Sequence, residues 1–278
     1  MEPESGFPMT SNAHNLGYKT KYYKLREDKD WEVDLKDMES KISKKTKAIL
    51  LNNPSNPCGS VWSKAHMKEI LNIAMKYEIP LVADEAYHSL VFGDRDFHSF
   101  GHLTKKHPII CTGSMSKMYC IPGWRLGWGL IYDYEGRLAE YRKNIMCATS
   151  LTLHPSTILM AAVPDFMKES DEFLVGYRSM LKKRYEYFSE NLKNINGITP
   201  YKAYGSIYML AKLDFSKFKD IKDDKEFALK LLEEQNLFIM PCSLLRKNGF
   251  LRILICCKEE VQPEVIKRLK DFCEIHKS

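Results

Sequence analysis

The stretch Thr46–Gly59, TKAILLNNPSNPCG, sets the reading of this chain. Its first half is a short apolar run, long enough for a buried strand and too short for a buried helix. Its second half is dense in Asn, Pro, Ser and Gly, the residues that stop a strand and turn the backbone. Ser63 then stands where an N-cap is wanted, and Met67, Ile70, Leu71 and Ala74 recur on one helical face up to about Tyr77.

The same unit recurs downstream. Ile79–Ala83 (IPLVA) reads as a strand ending at the carboxylates Asp84 and Glu85. Pro108–Thr112 (PIICT) reads as another, running into SMSKMYCIPGWRLGW (Ser114–Trp128), and Leu126–Tyr132 (LGWGLIY) as a fourth. Strands alternating with helices predict an α/β layer with a largely parallel sheet. Two helical segments are expected next, roughly Arg137–Ala148 and Pro155–Asn194. Ser206–Leu213, a helix over Asp224–Gln235, Phe250–Cys256 and a closing helix to about Ile275 then predict a smaller α+β unit. The expected division is a large domain over 1–175 and a small C-terminal domain over 176–278.

Composition narrows the function classes. The net charge of +6 arises from 42 basic and 36 acidic residues spread along the chain, with no basic stripe or nucleic-acid module. No apolar run is long enough to span a membrane, and the polar opening MEPESGFPMTSN lacks a signal core. Eight cysteines form no C-x-x-C pair and no zinc-ligand spacing with histidine, so no metal is expected. Most sit in apolar surroundings, as Cys256 and Cys257 do in LRILICC, and a reduced, cytoplasmic protein is the expectation.

Four polar groups, Asn56, Asp84, Lys117 and Arg125, follow apolar strands at the edge where open α/β sheets bind ligands. Taken singly, each has an ordinary explanation: a turn, a cap, a surface lysine, a surface ion pair. Taken in order, NNPSNPCGSVWS (Asn52–Ser63), ADEAYHSLVF (Ala83–Phe92), SMSKMYCIPGWRLGW and GFLRILI (Gly249–Ile255) resemble the fold-type I aminotransferases, nearest their tyrosine aminotransferase branch. The resemblance runs nearly the whole length of the chain. Cys120 departs mildly from it, at a position usually small or aliphatic.

The resemblance implies the cofactor pyridoxal 5'-phosphate, with Lys117 as its covalent anchor and later general base. It implies that Ser114, Ser116 and Arg125 hold the phosphate, the arginine through its planar fork. Asp84 would pair with the ring nitrogen, Tyr87 and Asn56 would donate to the ring oxygen, and Arg252 would clamp the substrate carboxylate together with Asn56. The implied reaction is transamination between a tyrosine-like aromatic L-amino acid and a 2-oxo acid such as 2-oxoglutarate, in a homodimer. Alanine, methionine and other amino acids, and β-elimination on the same fold, stay open. His88, where the family often has glycine, and His154, in a drifted loop, are assigned no chemistry.

The resemblance starts at Gly6–Met9 (GFPM), and the expectation is a chain without what precedes that point in relatives. Relatives place there a glycine/serine phosphate loop, an aromatic ring that stacks on the cofactor, and a tyrosine reaching the partner subunit's phosphate. Loss of the ring removes a contact of order 1 kcal/mol, and each lost phosphate donor costs roughly 1–3 kcal/mol. The sheet is expected to be incomplete, with Lys21–Leu25 (KYYKL) deprived of its neighbouring strand. A second expectation follows: a catalytically weak or inactive isoform that serves as a dimer partner.

Overall fold

The computed structural model describes all residues except 7–8, 11–14, 153–154 and 169. His154 and two residues of the GFPM stretch therefore lie outside the described residues. Near the start come four two-residue strands: β1 (Glu2–Pro3), β2 (Tyr22–Tyr23), β3 (Leu25–Arg26) and β4 (Glu32–Val33), then helix α1 (Leu35–Ser40). The central layer is β5 (Ile49–Asn52), α2 (Lys64–Lys76), β6 (Leu81–Asp84), β7 (Ile109–Ser114), the single turn α3 (Met115–Met118) and β8 (Gly127–Tyr132). The sheet order is β5-β6-β7-β8, parallel through β7 and antiparallel at β8.

The α/β repeat forms for the reasons visible in the sequence. Ile49, Leu51, Leu81, Ala83, Ile109 and Cys111 are buried. Ser63 caps α2 by accepting from the His66 N–H, and α2 lays His66, Met67, Ile70, Leu71 and Ala74 against the sheet. Each of the larger apolar side chains there contributes about 1.5–3 kcal/mol by leaving water. His66 also works structurally: its Nε2 accepts from the Val33 N–H at 3.0 Å, which ties β4 to the helix.

One expectation is overturned here. The KYYKL strand has not lost its neighbour, because β1 pairs with β2 in parallel register, Glu2 opposite Tyr22. The same segment reaches β5 on its other side, where Met1 N donates to Ala48 O (2.8 Å) and Leu50 N to Met1 O (2.7 Å). Residues 1–4 thus lie between β2 and β5, and β2 has a backbone partner there. The exposed edge is instead at the opposite end. Along β8, Trp128 and Leu130 are exposed, and no strand among the described residues lies beyond it.

Three helices follow: α4 (Ala139–Thr152), α5 (Thr157–Lys168) and α6 (Ser170–Leu192). The segment read as one helical run over Pro155–Asn194 is helical over 157–168 and 170–192 among the described residues. The expected boundary at 175/176 falls within α6. Beyond it lie β9 (Ile198–Pro200), β10 (Tyr208–Leu213), α7 (Asp224–Gln235), β11 (Met240–Pro241), β12 (Phe250–Leu254) and α8 (Gln262–Ile275). These strands form an antiparallel sheet in the order β11-β12-β10-β9. α6 buries Tyr177, Leu181, Phe188 and Leu192 in the same core as Phe227, Leu231, Leu269 and Phe272 of α7 and α8. Tyr87, Leu90 and Phe92, from the segment after β6, belong to that core too. The large sheet and the small unit are joined by shared apolar contacts as well as by the chain.

Candidate active site

The three parallel strands end in register. Asn52 lies opposite Asp84, and Asp84 opposite Thr112, so side chains at the carboxyl ends of β5, β6 and β7 form one row. Asp84 is largely withdrawn from water, and burial raises its pKa above the ordinary aspartate value. Donors from the Ala86 N–H and the Thr112 hydroxyl oppose that shift. Asn52 adds a third donor, its Nδ2 lying 3.1 Å from Asp84 Oδ2. No cation forms an ion pair with this carboxylate among the described residues.

Tyr87, three residues on, is buried edge-on to Tyr208, with ring centroids 6.1 Å apart. Burial first, then the neighbouring Tyr208 hydroxyl to which it is hydrogen-bonded, pushes the Tyr87 phenol well up from its ordinary value. The NNPSNPCG loop turns back over the strand ends, where Asn56 Oδ1 accepts from an Arg252 Nη1–H at 3.0 Å. Arg252 lies on β12 opposite Leu210 of β10, and its guanidinium stacks on the Tyr208 ring at 4.3 Å. Asn56, Tyr87, Tyr208 and Arg252 thus form one contiguous polar wall, drawn from both sheets.

The lysine loop follows β7. Ser114 caps the short turn α3 by accepting from the Ser116 N–H at 3.1 Å. Its hydroxyl also reaches Leu126 O at 3.5 Å. Lys117 is half-buried at the end of that turn, with no ion-pair partner among the described residues. Arg125 is exposed and holds a left-handed backbone (φ 52°). Its Nη1 donates to Pro122 O at 3.0 Å. Ser114, Ser116, Lys117 and Arg125 therefore share one loop beside the Asp84 row, and Arg125 contacts neither serine by hydrogen bond.

A separate cavity of about 380 Å³ lies against β6–β8, walled by Glu85, His88, Phe97, His102, Cys111 and Trp128. Of the residues just described it shares only Thr112. His88 faces it with Nδ1 on Glu85 O at 2.9 Å and its ring near Phe97 and Trp128.

With this geometry in hand, comparison with known proteins is specific. The model of the family described as "Aminotransferase class I and II" matches residues 4–269. The chain belongs to the class I and II aminotransferases. It is 36% identical to tyrosine aminotransferase from Dictyostelium discoideum, across 99% of this chain and 68% of that protein. It is 34% identical to human tyrosine aminotransferase, across 99% of this chain and 61% of that one. The crystal structure of tyrosine aminotransferase from Leishmania infantum superposes with a TM-score of 0.95 at 29% identity, covering this whole chain and 69% of that one. The chain thus spans roughly two thirds of the length of these aminotransferases, and its fold is that of the fold-type I enzymes.

Within this aminotransferase, two residues at the candidate site escaped the sequence reading. Asn52 looks like the last residue of a strand, and only its spacing of four before Asn56 hints at a return contact. Tyr208 looks like an ordinary alternating residue of SIYML. Its place opposite Tyr87 depends on the packing of one sheet against the other.

Proposed function

We propose that this chain transfers the amino group of a tyrosine-like aromatic L-amino acid to a 2-oxo acid such as 2-oxoglutarate, using pyridoxal 5'-phosphate. The observation that carries this reading is Asp84: a half-buried carboxylate, held by donors on both oxygens, with no cation paired to it among the described residues. A protonated ring nitrogen is the partner such a carboxylate lacks. When bound, the cofactor supplies the electron sink that makes a substrate α-proton removable.

The chain's own residues divide the remaining tasks. Lys117, a half-buried amine without a counter-ion, is the covalent anchor and carries the α-proton. Asn56 spends its carbonyl on Arg252, which leaves its amide N–H groups to donate to the ring oxygen beside Tyr87. Arg252, stacked on Tyr208 and tethered to Asn56, presents its remaining donors to a substrate carboxylate. Ser114, Ser116 and Arg125 form the phosphate end, with Arg125 turning away from Pro122 O to reach it. The named relatives, tyrosine aminotransferases, support the aromatic substrate. On this reading we divide the chain into a large unit over 1–175, which holds the β5–β8 sheet, and a small one over 176–278, which holds the β9–β12 sheet. All eight cysteines are free, in keeping with a reducing, cytoplasmic setting.

Borohydride reduction after incubation with pyridoxal phosphate should label Lys117, and Lys117→Ala should abolish both label and transamination. A label on another lysine, or none, would refute the assignment. Arg252→Ala should raise the KM for amino and oxo acids alike by about tenfold or more, the loss of a charged hydrogen-bonding pair. Unchanged KM values would show that another group holds the substrate carboxylate.

A second reading has its own observation. The β8 edge and the helices α4 and α5 expose Leu130, Met146, Ile158 and Met160, an apolar face suited to association. On this reading the chain acts mainly as a subunit, as a homodimer or as a weakly active partner.

A further inference from the structure

We propose that Asn52 is a positioning residue that joins the cofactor-facing and substrate-facing halves of the site, holding Asp84 with one end of its amide and the Asn56–Arg252 pair with the other. This inference rests on the cofactor reading above and assigns a role to a residue that reading leaves without one. Asn52 is the final residue of β5 and is buried at 5% exposure. Its amide is oriented without ambiguity by what surrounds it. Oδ1 accepts from the Asn56 N–H at 2.6 Å. Nδ2 donates to Asp84 Oδ2 at 3.1 Å and reaches the Asp84 carbonyl at 3.3 Å. A flipped amide would place donor against donor at Asn56 and oxygen against carboxylate at Asp84.

The chain of contacts then runs Asp84, Asn52, Asn56, Arg252 without a break. The Ala86 N–H holds the other carboxylate oxygen at 3.2 Å, so Asn52 and Ala86 together fix the plane of the Asp84 carboxylate. Only an amide serves both directions at this position. Aspartate would set two carboxylates face to face, and alanine would leave the buried Asn56 N–H unpaired and strip Asp84 of one of its three donors.

The test uses the full chain with two probes, pyridoxal phosphate and its 1-deaza analogue, in which carbon replaces the ring nitrogen. If Asn52 acts by aiming Asp84 at that nitrogen, Asn52→Ala weakens binding of pyridoxal phosphate about tenfold, the usual effect of one lost buried hydrogen bond. Affinity for the analogue should stay within about twofold, since it has no nitrogen for Asp84 to meet. Asn52→Ser, smaller but polar, should fall between wild type and alanine and serves if the alanine variant does not fold. Equal weakening of both probes, or of neither, overturns the positioning role. Wild-type protein that binds pyridoxal phosphate and labels at Lys117 while Asn52→Ala behaves as wild type refutes this inference alone. Wild-type protein that binds neither probe overturns the cofactor reading, and this assignment with it.

Discussion

At Asp84 burial and hydrogen bonding pull in opposite directions, and burial prevails, so the carboxyl holds its proton to a higher pH than an ordinary aspartate. The sign of the consequence differs for the two states of the protein. Without cofactor, the raised folded value means that this group's contribution to stability is present below the unfolded pKa of about 3.9 and is lost as pH rises through the folded value. Cofactor binding requires the ionised carboxylate, so affinity should do the reverse and rise with pH through that same interval. Fluorescence titration with pyridoxal phosphate across acidic pH should show the rise in wild type and lose it in Asp84→Asn. An unchanged slope in the variant would assign the titration elsewhere. At this scale placement was legible wherever a polar residue follows an apolar run: Asp84 closes β6, Lys117 sits just after β7 and Arg252 lies on β12. Asn52 and Tyr208 were not legible, because their roles are set by neighbours contributed from other elements.

Among the elements, α2 and α7 were legible nearly to the residue because both carry side-chain caps, Ser63 and Asp223, ahead of an apolar face. Ser63→Ala should cost about 1 kcal/mol, and lower the midpoint of thermal unfolding by roughly 2–4 °C in a chain of this size. Calorimetry of the cofactor-free protein measures this directly, and no shift would mean that the cap is replaced by solvent. The run over Pro155–Asn194 shows the limit of such reading. Pro164, a residue type that usually interrupts a helix, lies inside α5. Residues 1–4 were illegible for another reason. Two residues of strand, Glu2 and Pro3, carry no periodicity, and only pairing to β2 and β5 gives them a structure.

At the scale of the whole molecule, α5 presents apolar side chains to water. α5 buries none of its residues despite its content of Ile, Leu, Met, Val and Phe, and Ile158 is 81% exposed. Contiguous apolar surface of this kind marks an interaction site. Ile158→Glu should leave the stability of the isolated chain within about 0.5 kcal/mol, since little burial is lost. The same change should move the sedimentation profile toward monomer. A profile indifferent to the substitution would place the contact between copies elsewhere.

The seam at Gly59 has a mechanical meaning. Its left-handed backbone (φ 65°) leaves no room for a Cβ, which would sit 2.6 Å from Ala203 Cβ and 2.7 Å from Tyr208 O. Its carbonyl accepts from both Tyr204 N (2.7 Å) and Gly205 N (3.0 Å). Such a joint acts as a rivet. On the proposed role of Arg252, force applied at a bound substrate carboxylate passes through the Tyr208 segment into the Asn56 loop. Any closing movement of the small sheet must then carry that loop with it, and the compliance of the protein has to reside elsewhere along the chain.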